Sequence, residues 1–324
     1  MEENTEQRVD LTLFSEKIQE LKDRIASVIV GQEQTVDLVL TAILANGHVL
    51  IEGVPGVAKT LLARLTARLI DADFSRVQFT PDLMPSDVLG TTVFNMKTNG
   101  FDFHQGPIFA DIVLVDEINR APAKTQAALF EVMEERQISI DGTTHRMGDL
   151  YTILATQNPV EQEGTYKLPE AQLDRFLMKI TMDYPSLEEE VNILERHHTN
   201  ASLIKLDDIK PAITKEELLS LRALMNQVFV DRTLLQYIAL IVQQTRTSKA
   251  VYLGASPRAS VAMLQSSKAY ALLQGRDFVT PEDIKFVAPY VLQHRLILTA
   301  EAEMEGYSPV KVTQRLIDKV EVPK

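Results

Sequence analysis

The residues from Gly53 to Thr60 read Gly-Val-Pro-Gly-Val-Ala-Lys-Thr, a pattern suited to binding a phosphate chain. The run follows the apolar segment 49–51 and precedes a helical pattern over 61–69, which is the strand–loop–helix context of a P-loop. In such a loop, glycines let backbone N–H groups turn toward phosphate oxygens, and the helix N-terminus adds a favourable dipole. Lys59 is therefore predicted to reach the β- and γ-phosphates of a nucleotide, and Thr60 to ligate Mg²⁺.

The loop departs from the usual pattern at Ala58, where a glycine normally precedes the lysine. If the backbone has a positive φ there, the methyl group adds strain of about 1–2 kcal/mol. Taken alone, the motif could also be a glycine- and proline-containing turn that binds no nucleotide. The residues predicted to contact the nucleotide at this loop are Gly53, Val54, Pro55, Gly56, Val57, Ala58, Lys59, Thr60 and Leu61.

Two acids, Asp116 and Glu117, follow the apolar run 112–115. A buried strand with this ending would bring both carboxylates to the sheet edge beside the P-loop. There, Asp116 is predicted to hold Mg²⁺ through water, and Glu117 to polarise the attacking water as a general base. The alternative is an ordinary strand that ends in solvated acids.

A third apolar run, 152–155, leads to the polar residues Thr156, Gln157 and Asn158 and then to Pro159. Asn158 could orient the attacking water or contact the γ-phosphate. On its own, the segment is better explained as a strand followed by an Asn-Pro turn.

Short apolar runs alternate with helical patterns up to about residue 183, which indicates a mostly parallel α/β sheet. An amphipathic helix over 11–29 comes first, and turn signals predict β-hairpins at Val93–Phe103 and Gln137–His145. The predicted strands are His48–Ile51, Val77–Phe79, Ile112–Val115, Ile153–Ala155 and Lys179–Met182. After residue 184 no strand is predicted; the candidate helices are 187–198, 215–228, 232–247, 257–274 and 281–297. We therefore expect an α/β domain over 1–184 and a helical domain with a C-terminal tail over 185–324.

The composition narrows the functional classes. The chain has no cysteine, which excludes disulfides and thiolate metal sites. No apolar run approaches the roughly 18 residues of a membrane span, so we expect a cytoplasmic protein without a transmembrane segment. The net charge of −12, without a concentrated basic patch, favours protein or small-molecule partners over nucleic acid.

Several longer runs together resemble the MoxR family of AAA+ ATPases: 101–135, 155–159, 168–176 and 254–258. The resemblance spans roughly residues 10–300, with the P-loop, the two acids and Asn158 in the expected order. It implies ATP and Mg²⁺ as cofactors, a parallel five-stranded sheet of order 5-1-4-3-2 with hairpin insertions, and an all-helical lid. Close relatives also carry alanine before the P-loop lysine, so the resemblance implies that Ala58 is compatible with ATP binding.

The resemblance also implies roles for residues outside the three motifs. Arg175, in Leu-Asp-Arg-Phe, resembles an arginine finger that reaches the γ-phosphate of a neighbouring subunit, although an arginine in a structural salt bridge is the alternative. Arg258, in Ser-Pro-Arg, resembles the lid arginine called sensor 2, which contacts phosphate in the same chain; a solvated charge at a helix start is the alternative. Val30 and Gly31 resemble the segment that packs against adenine, and Arg120 is a less favoured candidate for the subunit interface.

At the level of function, the resemblance implies a homo-oligomeric ring, by family analogy a hexamer, that acts as a chaperone-like remodeller. Expected partners are client protein complexes and proteins with a von Willebrand factor A domain. The predicted hairpins could contact a client in the ring pore or be purely structural. Two other classes stay open: a nucleic-acid motor or loader, and a nucleotide-gated scaffold with negligible turnover.

Overall fold

The computed structural model describes residues 11–159, 165–199 and 206–322. Residues 1–10 of the predicted first domain and 323–324 of the predicted tail lie outside these ranges. The helices are α1 (Thr12–Val28), α2 (Glu33–Leu44), α3 (Lys59–Leu69), α4 (Pro85–Leu89), α5 (Ala123–Glu135), α6 (Glu170–Leu173), α7 (Leu187–His198), α8 (Lys215–Leu224), α9 (Arg232–Thr247), α10 (Pro257–Leu273), α11 (Pro281–Leu292), α12 (Ala300–Met304) and α13 (Pro309–Lys319). The strands are β1 (Val49–Gly53), β2 (Phe74–Gln78), β3 (Gly90–Asn95), β4 (Gly100–Gln105), β5 (Ile112–Asp116), β6 (Gln137–Ile140), β7 (Thr143–Arg146), β8 (Thr152–Gln157), β9 (Met178–Met182), β10 (Val251–Leu253) and β11 (Ile297–Leu298).

Five strands form one parallel sheet in the order β2-β5-β8-β1-β9. When only these five are numbered along the chain and read from the β9 edge, the order is 5-1-4-3-2, as the resemblance implied. Every residue of β5 is buried, and so are all residues of β8 except the last, as expected for central strands covered on both faces. Because the strands are parallel, the carboxyl ends of β1, β5 and β8 meet at one edge of the sheet.

Both predicted hairpins are present. β3 pairs with β4 and β6 with β7, each in antiparallel register. Asp141 and Gly142 at the second turn both have positive φ, at 49° and 78°, the backbone that favours Asp-Gly in a tight two-residue turn. The hairpin predictions are therefore confirmed.

The helical region contains one correction. β10 and β11 form a small antiparallel sheet, where no strand was predicted. The predicted helix 281–297 ends as an α-helix at Leu292, continues as a 3₁₀ turn over 293–295 and then enters β11. Strands of three and two residues are too short to show a period in the sequence, which is why the pattern missed them. The tail beyond residue 300 adds α12 and α13.

The largest hydrophobic core runs across the predicted boundary at residue 184. It includes Leu38 and Ile43 of α2 together with Met263 and Ala269 of α10, and α10 packs directly against α2. The division into two domains at 184 stays a prediction. Within the described ranges, no helix is long and apolar enough to cross a membrane.

His48, just before β1, is buried beside β8 and α5. Its Nδ1 accepts a hydrogen bond from the N–H of Ile153 (3.0 Å), so Nε2 carries the proton and donates to the carbonyl of Met133 (3.2 Å). Burial lowers the pKa of His48 to about 3. The folded chain therefore holds this imidazole neutral across the range in which an unfolded chain protonates it.

This difference predicts a loss of stability in acid. Below pH ~6.5 the unfolded chain binds a proton at His48, whereas the folded chain binds it only near pH 3. The free energy of unfolding therefore falls as the pH is lowered through this range. We expect the free energy of unfolding to decrease by up to about 1.4 kcal/mol per pH unit more in the natural chain than in His48→Gln. Urea unfolding of both chains at pH 7.5, 6 and 5 measures this; identical pH dependences would contradict it.

Candidate active site at the carboxyl edge of the sheet

The predicted P-loop lies between β1 and α3. β1 ends at Gly53 and α3 begins at Lys59, and the side-chain Nζ of Lys59 donates to the carbonyl of Gly53. Gly56 has φ of 92°, a conformation that only glycine adopts readily. The strand–loop–helix arrangement expected from the sequence is therefore present, with the lysine folded over its own loop.

Ala58 has φ of 63° and ψ of 22°, which places it in the left-handed region immediately before α3. The condition for backbone strain at this position is thus met. The loop adopts this left-handed conformation at Ala58 although a methyl group is present.

Asp116 and Glu117 lie beside this loop at the end of β5. Asp116 is only 6% exposed, and its Oδ1 accepts a hydrogen bond from Thr156 Oγ1 on β8 (3.1 Å). The same hydroxyl oxygen accepts from the N–H of Glu117 (3.0 Å). Glu117 has φ of 56°, a left-handed conformation that costs on the order of 1–3 kcal/mol for a residue with a side chain. Thr156 therefore fixes both acids across two neighbouring strands.

Two residues of β2, which the sequence analysis did not single out, hold the outer oxygens of these acids. Arg76 donates from Nε to Asp116 Oδ2 (2.6 Å), and Gln78 donates from Nε2 to Glu117 Oε2 (2.8 Å). Arg120 Nε lies 3.0 Å from the same Oε2. Their position beside the acids follows from the strand order, because β2 is next to β5 and Gln78 pairs with Asp116. The strand order that the resemblance implied could have pointed to them.

A cavity of about 380 Å³ collects residues of all three motifs. Asn158 at the end of β8 is buried and contributes to its wall, as do the P-loop and both acids. Its lining residues are Pro55, Gly56, Ala58, Lys59, Thr60, Leu61, Arg76, Gln78, Asp116, Glu117, Thr156 and Asn158.

A second, mainly apolar cavity of about 360 Å³ shares Gly56, Ala58 and Leu61 with the first. Its lining residues are Ser27, Val28, Ile29, Val30, Gln32, Gly56, Val57, Ala58, Leu61, Pro185, Ile193, Arg196, His197 and Leu206. An apolar cleft beside a polar one suits the base and the phosphates of one nucleotide.

Three residues of the predicted P-loop and adenine segment line neither cavity. Gly53 supplies the carbonyl for Lys59, and Val54 packs against the core. Gly31 has φ of 73°, and a Cβ there would lie 2.2 Å from the carboxylate of Glu189 on α7. Gly31 thus packs closely against Glu189 in a conformation that favours glycine, and its contact with adenine stays a prediction.

The two predicted arginines lie outside the phosphate-side cavity and contact α5 instead. Arg175 donates from Nη1 to the carbonyl of Phe130. Arg258 is 65% exposed and pairs with Glu134 at 3.3 Å rather than facing the cavity of its own chain. An exposed pair of this kind contributes little to stability, so it would not oppose a movement of Arg258.

The residues present fit magnesium bound together with phosphate. Thr60 and Asp116 offer hydroxyl and carboxylate oxygens in one cavity, the hard donors that Mg²⁺ prefers alongside water and substrate phosphates. Among the described residues, no group of three or more histidines or acids is placed to hold a metal ion. The magnesium site therefore depends on phosphate and water as further ligands.

Comparison with known proteins gives the family. The ATPase family associated with various cellular activities (AAA) matches residues 48–178, and the AAA lid domain matches 243–318. Chaperone MoxR1 of Mycobacterium tuberculosis is 44% identical over 93% of this chain and 81% of its own length. The chain belongs to the MoxR family of AAA+ ATPases.

Two further similar proteins match nearly the whole chain. The uncharacterized protein YeaC of Bacillus subtilis is 47% identical over 93% of each chain. The crystal structure of a protein from Cytophaga hutchinsonii, assigned as an ATPase, matches with a TM-score of 0.89 at 40% identity and covers 97% of both chains. The family confirms the AAA+ fold and ATP hydrolysis that the motifs predicted.

The left-handed backbone at Ala58 leads to a prediction for this MoxR-family ATPase. Ala58→Gly removes left-handed strain of about 1–2 kcal/mol and adds unfolded-state entropy worth about 0.5–1 kcal/mol. We therefore expect a net gain of ~0.5–1 kcal/mol in the free energy of unfolding, measured by urea titration. The matched control is Ala67→Gly inside α3, where the same change should lose about 1–2 kcal/mol, because glycine lowers helix propensity and the buried methyl group of Ala67 is also lost. Equal losses in both variants would contradict the strain at Ala58.

Proposed function

We propose that the chain is a Mg²⁺-dependent ATPase that works as a ring and remodels partner proteins. The observation that carries the proposal is the single cavity that brings together Lys59, Thr60, Asp116, Glu117 and Asn158. These five residues follow three separate strands, and together they supply phosphate binding, magnesium ligands, a general base and a group that orients the water, as phosphoryl transfer to water requires.

Within that cavity the roles follow from chemistry. Lys59 binds the β- and γ-phosphates, while Thr60 and Asp116 hold the magnesium ion. A bound magnesium ion would supply positive charge that neutralises phosphate oxygens. Glu117 takes the proton of the attacking water, and Asn158 orients that water. Gln78 and Arg120 both engage Glu117 Oε2, so they orient the carboxylate and Oε1 can accept the proton.

The positions of the arginines support completion of the site by a neighbour. Arg175, which follows α6 and contacts α5, lies outside its own chain's phosphate-side cavity, as a residue that acts on the next subunit would. A ring of identical chains, a hexamer by family analogy, satisfies this arrangement at every interface. Arg258 would act within its own chain, by leaving Glu134 and reaching the phosphates when the lid closes.

The remodelling role rests on the family and on an exposed hairpin. A relative that shares 44% of its residues is named a chaperone. The β3–β4 hairpin presents Val93, Phe94, Met96 and Phe101 to solvent, with Phe101 73% exposed. Exposed apolar side chains on one hairpin suit transient contact with a protein client. Proteins with a von Willebrand factor A domain are the proposed partners, and the net charge of −12 disfavours nucleic acid.

The catalytic roles are tested by three substitutions. Lys59→Ala, Glu117→Gln and Arg175→Ala should each reduce kcat by at least about 10³-fold, since each removes a charge or a base from the transition state. Glu117→Gln should retain ATP binding. Glu131→Gln, an exposed acid on α5, serves as the matched control and should keep full phosphate release. Full activity in Glu117→Gln would contradict its role as general base.

The remodelling role is tested by affinity capture from native lysate with Glu117→Gln, with and without ATP. The variant should retain the ATP state, and we expect a stoichiometric protein partner that depends on ATP. The same capture with Lys59→Ala should lose that partner. Recovery of nucleic acid in its place would indicate a motor or loader, and a partner indifferent to nucleotide would contradict remodelling.

A further inference from the structure

The segment that carries Arg175 is held in place by the 3₁₀ turn 293–295. Arg295 is 4% exposed, and its guanidinium donates to Asp174 Oδ1 (2.6 Å) and to the carbonyl of Asp174 (3.2 Å). It also donates to the carbonyls of Phe176 (2.8 Å) and Leu177 (3.1 Å). These acceptors flank Arg175 on both sides, so one buried side chain fixes the backbone around it.

The two residues before Arg295 strengthen the same attachment. His294 Nε2 lies 3.0 Å from the carbonyl of Phe176, and Gln293 Nε2 donates to the carbonyl of Lys179. The turn 293–295 therefore makes hydrogen bonds on both sides of Arg175, from Asp174 to Lys179 near the start of β9. Only arginine offers five donors in a planar fork, which matches this set of acceptors.

Asp174 also connects this segment to the helix that carries Arg258. Its second oxygen, Oδ2, accepts a hydrogen bond from Ser256 Oγ at 3.5 Å. Ser256 is the residue before α10, and Arg258 is the second residue of that helix. If nucleotide binding in the same chain moves α10, this hydrogen bond would transmit the movement to Asp174, next to Arg175.

We propose that Arg295 is a positioning residue that, through Asp174, sets the place of Arg175 at the nucleotide of the neighbouring chain. The proposal rests on the ring arrangement proposed above. Its consequence is that a defect at Arg295 appears in the neighbour's active site and leaves its own site intact. A misplacement of about 1 Å at a reacting group can lower a rate by ~10²-fold.

The first test separates binding from turnover. Arg295→Lys keeps the charge and loses the fork, and we expect kcat to fall by about 10- to 100-fold while affinity for a fluorescent ATP analogue stays within about twofold. Asp174→Asn keeps the side-chain size and should show the same fall in kcat with unchanged affinity. It replaces Arg295→Lys in the test if that variant does not fold. Arg232→Lys, an exposed position on α9, is the matched control and should keep both values. Loss of ATP-analogue affinity in the folded variants would overturn the proposal.

The second test asks which chain carries the defect. Each variant is mixed with Glu117→Gln, which does not hydrolyse ATP but has an intact Arg175. We expect the Arg295→Lys mixture to regain phosphate release, as the reference mixture of Arg175→Ala with Glu117→Gln does. Rescue of the reference alone would overturn the role of Arg295. Failure of the reference would instead overturn the ring arrangement on which this inference depends.

Discussion

The hydroxyl of Thr156 is the contact on which the chemistry of this protein depends. It donates to Asp116 and accepts from the backbone of Glu117, and so it joins two buried strands at the point where both acids leave the sheet. The register of β5 and β8 makes this possible, because a shift by one residue would turn Thr156 to the opposite face. Burial of both strands holds that register. The P-loop follows β1, on the other side of β8, and lines the same cavity as the acids.

Two residues with left-handed backbone lie at the same cavity. Ala58 and Glu117 are both left-handed, and both line the phosphate-side cavity. Such conformations persist only where surrounding structure determines them, and they gather at functional sites. Here the buried strands and α3 supply that support. The strained turn at Glu117 separates its carboxylate from that of Asp116, which lets neighbouring residues take different roles.

Local signals in the sequence predicted much of this arrangement. Apolar runs that end in polar residues located the sheet strands, and Asp141-Gly142 located a hairpin. The missed features are non-local or very short: β10 and β11 have too few residues for a period, and Arg76 and Gln78 matter only because β2 lies beside β5. The attachment of Arg295 to Asp174 joins residues 121 positions apart, so spacing along the chain gives no sign of it.

The central claim is that each active site is completed by a neighbouring chain. The most direct measurement is phosphate release per chain across a dilution series, with the assembled fraction determined in the same samples by sedimentation. Activity per chain should rise and fall with the assembled fraction, because a single chain lacks Arg175 of a neighbouring chain at its γ-phosphate. Full activity in samples that contain only single chains would contradict the claim.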